Sequence, residues 1–263
     1  SVDIEEVYKG VGAVVKGAMA LSELEEWTRC AIKGPGVCAG LATANPMHCL
    51  AEALGMALPG TTPVRADSSQ LKATIEKAGH KIIELIEKDL RPREILTKQA
   101  FQNAIRVAVS MGCSVNTVRQ LAAIAVEAEM DLDMVKLFEE EAEPLNQITQ
   151  IRPNGPHRIE QFEAAGGTIA VLHRLKEQLN MGVITVENTT LEQVLSKEIV
   201  IDETIIRPVD NPFRKEPGLV IFRGNIAPSG AIVKLSAVEA ANRIFIGHAR
   251  VFEDEDVAIH ELG

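Results

Sequence analysis

The residues with the most chemical potential lie in "GPGVCAGLATANPMHCLAEALGMALPG", residues 34 to 60, where Cys38 stands between Gly36 and Gly40 ahead of an Asn45-Pro46 pair. Glycines beside a thiol let the backbone approach a bulky group and let its amides turn toward it. Asn45 followed by Pro46 reads as an N-cap and first helical residue. That puts a helix N-terminus, carrying about half a positive charge, within a turn or two of the sulfur. Such a field favours the thiolate, the form that ligates metal or attacks carbon. A structural cysteine buried behind a tight turn is the competing reading, because free cysteine is among the most buried residue types.

The remaining chemistry-bearing residues read more simply. Cys49 sits mid-helix between His48 and Leu50, and Cys113 follows Gly112 in "SMGCSVN"; both read as packing residues, and Cys30 has no obvious chemical neighbour. The four cysteines show no CxxC pair and no regular spacing, which favours reduced thiols over a disulfide framework. An iron–sulfur site needs three or four converging thiolates. Convergence of Cys30, Cys38 and Cys113 is a further possibility that their spacing neither supports nor excludes. His48, His80, His157, His173, His248 and His260 form no HxxxH or HxH pattern and read as surface or packing residues. The acidic runs "EEEAE" from Glu139 and "EDED" from Glu253 read as solvated helix caps and faces. No GxSxG elbow, P-loop or GxGxxG is present, and Gly224-Asn225 and Pro228 to Gly230 read as bare turns.

Composition narrows the function class. The chain has 263 residues, 46% hydrophobic and 24% charged, enough to bury a sizeable core in one large or two modest domains. A net charge of −10 argues against a nucleic-acid or anionic-membrane surface, and 3% aromatic residues leave few stacking platforms for single strands. No apolar stretch approaches the roughly 20 residues needed to cross a bilayer, and the first residues lack a signal-peptide layout. A cytoplasmic location is therefore the expectation.

Periodicity divides the elements that must position Cys38. From Ser1 to about Asn180 the pattern is helical. Leu71, Ile75, Ala78, Ile82, Leu85 and Ile86 predict one inward face, ended by "DLRP". Thr97 is the expected N-cap of a helix that buries Phe101, Ala104, Ile105, Ala108 and Val109 before Gly112. A helix through Leu121, Ile124 and Ala125 follows, then an Asp-capped one in "DLDMVKLFEEEAE" and a short one from Ile159 to Ala165. Gly166-Gly167 breaks that last helix, and Thr168 is expected to cap "IAVLHRLKEQL". Beyond Asn180, "GVITVEN", "EIVIDETIIRP", "GLVIFRG", "AIVKLSAV" and "RIFIGHARVF" are short, rich in Val and Ile and separated by Pro and Gly, as strands of an antiparallel or barrel-like unit would be. A closing helix in "EDEDVAIHEL" carries acidic residues in its first turn and Gly263 just past its end. Two domains are expected, residues 1–180 and 181–263. The second is short enough to leave sheet edges needing cover from chain outside this stretch.

Six phrases, taken in order, carry a family resemblance. "GPGVCAGLATANPMHCLAEALGMALPG", "ILTKQAFQNAIRVAVSMGCSVN", "AAGGTIAVLHRL", "IIRPVDNP", "GLVIFRGNIAPSGAIVKLSAV" and "GHARVFEDEDVA" together resemble the dihydroxy-acid dehydratase and sugar-acid dehydratase family. The resemblance spans almost the whole chain and is to the central segment of a family polypeptide only. It implies the helix-rich part of a three-layer α/β/α N-terminal domain, followed by part of a C-terminal β-barrel domain. It also implies a lyase that removes water from a 2,3-dihydroxy acid to give a 2-keto acid, using an iron–sulfur cluster (2Fe-2S or 4Fe-4S) and Mg2+. A branched-chain amino-acid precursor is the expected substrate and a sugar acid the alternative. The family usually forms dimers or tetramers, so a homo-oligomer is expected.

By resemblance, the cysteine of the "GxCxGxxTAN" phrase is one of three cluster ligands, which carries that role to Cys38. The chemical logic is that hydroxide leaves poorly until a metal takes its charge, while a base removes the proton at C2. The family's "CDK", "TDGRFSGG" and "YEGPKGGPGM" phrases are not found in these 263 residues. Within the matched phrases, "RPNG", "QFEAAGG" and "AGLATAN" depart from the usual "KPSG", "DLHRAGG" and "GGMYTAN". The resulting expectation is a chain inactive by itself, needing flanking segments or a partner chain to complete the site. A non-catalytic descendant serving as an assembly partner is the alternative from another class.

Overall fold

The computed structural model describes residues 4–31 and 34–262. Helices α1 (Ile4–Val15) and α2 (Leu21–Ala31) form a largely exposed antiparallel pair, closed where Gly10 meets Leu24 and Trp27. A glycine-rich loop leads to α3 (Ala44–Ala53), whose inner face carries Asn45, Cys49, Leu50, Glu52 and Ala53. α4 (Ser69–Glu87) begins where the Ser68 hydroxyl accepts from the Leu71 amide. α5 (Pro92–Ile95) is a single turn before α6 (Lys98–Met111).

α6 is the axis of the molecule. Thr97 caps it by accepting from the Ala100 amide, and Gly112 ends it in the left-handed conformation at φ 65°. Between those signals nearly every residue from Ala100 to Met111 is buried, because the helix is surrounded rather than laid on a surface. α3 lies along one flank. α8 (Met134–Ala142), capped by Asp133, and α10 (Gly167–Arg174) lie along others, while α7 (Asn116–Glu127) bridges α3 and α8. α9 (Ile159–Ala164) precedes α10, and α11 (Leu191–Val194) carries a Thr190–Gln193 capping box. One continuous apolar core runs from Leu41 through α3, α6, α7, α8 and α10 to Ile206 and Leu219.

The helix-rich N-terminal region is as expected, but among the described residues no β-barrel is formed. Among the described residues the only sheet is the pair β1 (Val220–Phe222) and β2 (Ala231–Val233), antiparallel with Ile221 opposite Ile232, and it does not close or curl. The other Val- and Ile-rich stretches make at most single bridges, such as Thr149 to Ile206 and Ile184 to Thr190. β-branched composition reports a residue's fit to a pleated surface, whereas a strand also needs a neighbour to take its backbone hydrogen bonds. Three-residue strands cannot supply a barrel's circumference, and Ile244 and Ile246 lie 83% and 94% exposed with no strand beside them.

Three local expectations also change. On α4 only Leu85 of the predicted inward face is buried; Ile75, Ile82 and Ile86 are 62%, 53% and 68% exposed. Instead, α4 is tied by its polar flank, where Lys77 and Lys81 reach Glu187 at 3.0 Å. The predicted Thr168 cap is a buried residue of the first turn of α10, which begins at Gly167 with Gly166 as its N-cap. Glu141 of the acidic run is not solvated: it is buried and pairs with Arg106 at 2.7 Å. The closing helix α12 (Glu255–Leu262) has the acidic first turn expected of it, and its Gly263 cap lies outside the described residues.

Candidate functional site

The Cys38 loop is built by backbone geometry that its glycines permit. Gly36 adopts φ 109°, and a Cβ at Gly40 would stand 2.7 Å from the Arg152 carbonyl oxygen. That close approach lets the Leu41 amide donate to Arg152 O at 2.6 Å, while the Ile159 amide donates to Ala39 O at 2.8 Å. The loop is thereby tied to the 151–159 segment on both sides of Gly40. From the opposite end of the chain, Lys234 Nζ donates to Leu41 O at 3.2 Å, and burial holds its ammonium below the usual lysine range.

Asn45 does not cap α3 as predicted. The helix begins at Ala44 after Thr43, and Asn45 is a buried first-turn residue whose side-chain amide points back into the loop. Its Nδ2 donates to Cys38 O at 2.7 Å and to Gly40 O at 2.9 Å. The loop is pinned to the helix start, with the Cys38 sulfur half-buried and 3.9 Å from Gly40 O.

A cleft of about 810 Å³ opens in front of this loop. Gly34 to Ala39 form one wall and Pro63 to Asp67 another, with Cys30, Asn45, His48, Arg158, Glu160 and Glu163 also lining it. The walls meet where Gly36 comes against Ala66. The cleft therefore sets one thiol, with a second on its rim, among groups of both charge signs.

The other cysteines lie elsewhere or differ in character. Cys30 is exposed on the same cleft, whereas Cys49 and Cys113 are fully buried in the core. Burial pushes the Cys113 thiol up to about 12, with Lys234 opposing, and raises Cys49 further still. Among the described residues no group of three or more His, Cys, Asp or Glu side chains is placed to hold a metal ion, so Cys30, Cys38 and Cys113 do not form a joint ligand set. As a donor set these residues fit one corner of a cluster and not the whole of it.

Sequence reasoning passed over Glu52. It is 4% exposed on α3, one turn beyond Cys49, and accepts from the Gly60 amide at 2.8 Å, the Thr62 amide at 3.1 Å and the Thr62 hydroxyl at 2.6 Å. Burial raises its carboxyl to about 7 despite those donors. The signal was present: Asn45, Cys49 and Glu52 share one helical face, and a carboxylate on a buried face needs donors brought to it. His48, on the same helix, lines the cleft.

Comparison with known proteins agrees with the order of phrases. The N-terminal model of the dihydroxy-acid/6-phosphogluconate dehydratases matches residues 1–194 and the C-terminal model matches residues 204–263. The expectation of a match to a central segment only is thereby corrected, since the two models between them take in nearly the whole chain. A dihydroxy-acid dehydratase of Acetivibrio thermocellus is 40% identical over 264 residues, covering 100% of this chain and 48% of that protein. One from Methanothermobacter thermautotrophicus is 40% identical over 99% of this chain and 48% of its own length, and one from Syntrophobacter fumaroxidans is 41% identical over 97% and 46%. The chain spans about half the length of the curated relatives it matches. On these matches the chain belongs to the dihydroxy-acid/6-phosphogluconate dehydratase family.

Proposed function

We propose that this chain forms the Cys38-bearing part of a hydro-lyase that converts a 2,3-dihydroxy acid to a 2-keto acid, with Cys38 contributing one thiolate to an iron–sulfur cluster. The observation that carries the reading is the placement of Cys38: half-buried at the wall of a charged cleft, on a loop that Asn45 and Gly40 hold in place. When bound, an iron–sulfur centre with an open iron, together with Mg2+, supplies a Lewis acid for the leaving hydroxyl. The chain's own part is to present the sulfur, to hold the loop around it and to admit an acid substrate to the cleft. The remaining thiolates and the base for the C2 proton come from flanking segments or a partner chain, so the isolated chain does not turn over. A branched dihydroxy acid is favoured over a sugar acid because the relatives named above are dihydroxy-acid dehydratases. The assembled enzyme is a homo-oligomer.

Two experiments test this. In the first, the isolated chain is supplied with iron, sulfide and magnesium and assayed with a branched dihydroxy acid and a sugar acid; normal turnover of either contradicts the reading. In the second, residues 1–263 replace the matching stretch of the Acetivibrio thermocellus relative and the chimera is reconstituted anaerobically. Visible cluster absorption and turnover are expected, both lost in Cys38→Ser. A Cys38→Ser chimera that keeps its absorption sinks the ligand role.

A further inference from the structure

We propose that Glu52 is a positioning residue for the Cys38 cleft: through Thr62 it holds the turn from which the Pro63–Asp67 wall departs, and so sets how far the cleft opens onto the sulfur. Glu52 and Thr62 are 4% and 2% exposed, and Thr168 is fully buried. Glu52 takes both donors of Thr62, its amide and its hydroxyl. The carbonyl of Thr62 accepts from the Thr168 amide at 2.9 Å, and the two threonine hydroxyls lie 2.9 Å apart. Every polar atom of Thr62 is thus committed to α3 or to α10.

The hydroxyls have one proton each, which orders the chain. With Glu52 ionised, Thr62 must donate its proton to the carboxylate, so the hydrogen bond between the threonines is donated by Thr168. The carboxylate is the acceptor that terminates the series. An amide in its place can keep its oxygen toward Thr62 only by setting an N–H against the Gly60 amide, so one of the three donors is left unpaired.

The next residue after this anchored threonine is Pro63, the first of the wall. Ala66 of that wall touches the Cys38 loop at Gly36, and the Arg65 amide reaches Glu163 Oε1 at 3.4 Å. Movement at Thr62 therefore reaches the Cys38 side of the cleft within four residues. The importance of that opening for catalysis rests on the reading of Cys38 given above; the mechanical claim does not.

The test is the rate at which Cys38 is alkylated in the whole folded chain, followed peptide by peptide so that Cys30 is read separately. Glu52→Gln and Thr62→Val should each accelerate Cys38 about tenfold, the change in open population expected from one unpaired buried donor. Thr62→Ser, which keeps the hydroxyl, should stay near the parent rate. Glu141→Gln, a change at a buried carboxylate on α8 away from the cleft, should do the same. If Glu52→Gln does not fold, the contrast between Thr62→Val and Thr62→Ser decides. An unchanged Cys38 rate in folded Glu52→Gln and Thr62→Val variants overturns the proposal, as does an equal acceleration by Glu141→Gln. Faster alkylation together with a Cys38→Ser chimera that keeps its cluster absorption leaves the Glu52–Thr62 contact standing and removes only the cluster reading.

Discussion

Asn45 holds Cys38 by its carbonyl: the side-chain amide of the helix residue donates to the cysteine's oxygen at 2.7 Å and to that of Gly40 at 2.9 Å. One planar group with two N–H donors thus fixes two turns of the loop relative to α3. Asn45→Ala leaves both carbonyls without this partner and should cost about 1–3 kcal/mol of stability. Urea denaturation measures the loss, and a midpoint equal to the parent's would show that the loop does not depend on this residue.

Gly40 is a sharper test of the same loop. A methyl there would lie 2.7 Å from a backbone oxygen of Arg152, which cannot swing aside as a side-chain tip would. Gly40→Ala should destabilise the chain by about 1–3 kcal/mol, seen as a lower Tm by thermal circular dichroism. Gly79→Ala is the informative comparison, because nothing lies within 4 Å of its Cβ position in the exposed middle of α4. That change should be neutral or stabilise by up to about 1 kcal/mol.

The four thiols should separate into two pairs. Cys30 is exposed and Cys38 half-buried, whereas Cys49 and Cys113 are enclosed and burial raises the pKa of both thiols. Alkylation of the native chain near pH 8, read by mass, should therefore modify Cys30 and Cys38 and spare the other two until denaturant is added. Modification of Cys113 at the rate of Cys30 would mean that the end of α6 is open.

Glu52 gives the stability a definite dependence on pH. Its carboxyl ionises near 4.5 in the unfolded chain and, because burial outweighs its hydrogen bonds, near 7 in the folded one. Between those values the folded chain binds the extra proton, so stability falls as pH rises through that window. The contribution is fully present below 4.5, is lost above 7 and amounts to about 3 kcal/mol. Glu52→Gln should flatten this component when unfolding free energies are measured from pH 4.5 to 8. A parent slope that survives the substitution unchanged would assign the titration elsewhere.

The Arg106–Glu141 pair joins α6 to α8 inside the protein. Glu141 receives Arg106 Nε at 2.7 Å and Gln102 Nε2 at 2.6 Å. Glu141→Ala strands a half-buried guanidinium and should cost about 3 kcal/mol. The double change Glu141→Leu with Arg106→Met should recover part of that loss, which equilibrium unfolding would show.

Much of the helical frame was legible because capping chemistry is local. Thr97, Asp133 and Gly112 act where their types and positions indicate, each needing only its own helix end. What failed depended on partners distant in sequence. The isoleucines of α4 have the period of a buried face, but period says nothing of whether another element arrives to cover it. Of the Val- and Ile-rich stretches past residue 180, "GLVIFRG" and "AIVKLSAV" find each other as β1 and β2, whereas the others meet at most single bridges. At the site, the Cys38 loop was visible as a glycine-flanked thiol, whereas the roles of Asn45 and Glu52 emerge only once the 58–63 turn and the loop fold back onto α3.

The bond from Lys234 to Leu41 spans 193 positions. A nascent chain emerging from the ribosome must release almost all of this sequence before the lysine can reach that carbonyl, so the thiol-bearing loop is made early and gains this restraint late. Fragments ending ahead of β2 should therefore hold every residue around Cys38 and still lack the final restraint on its backbone.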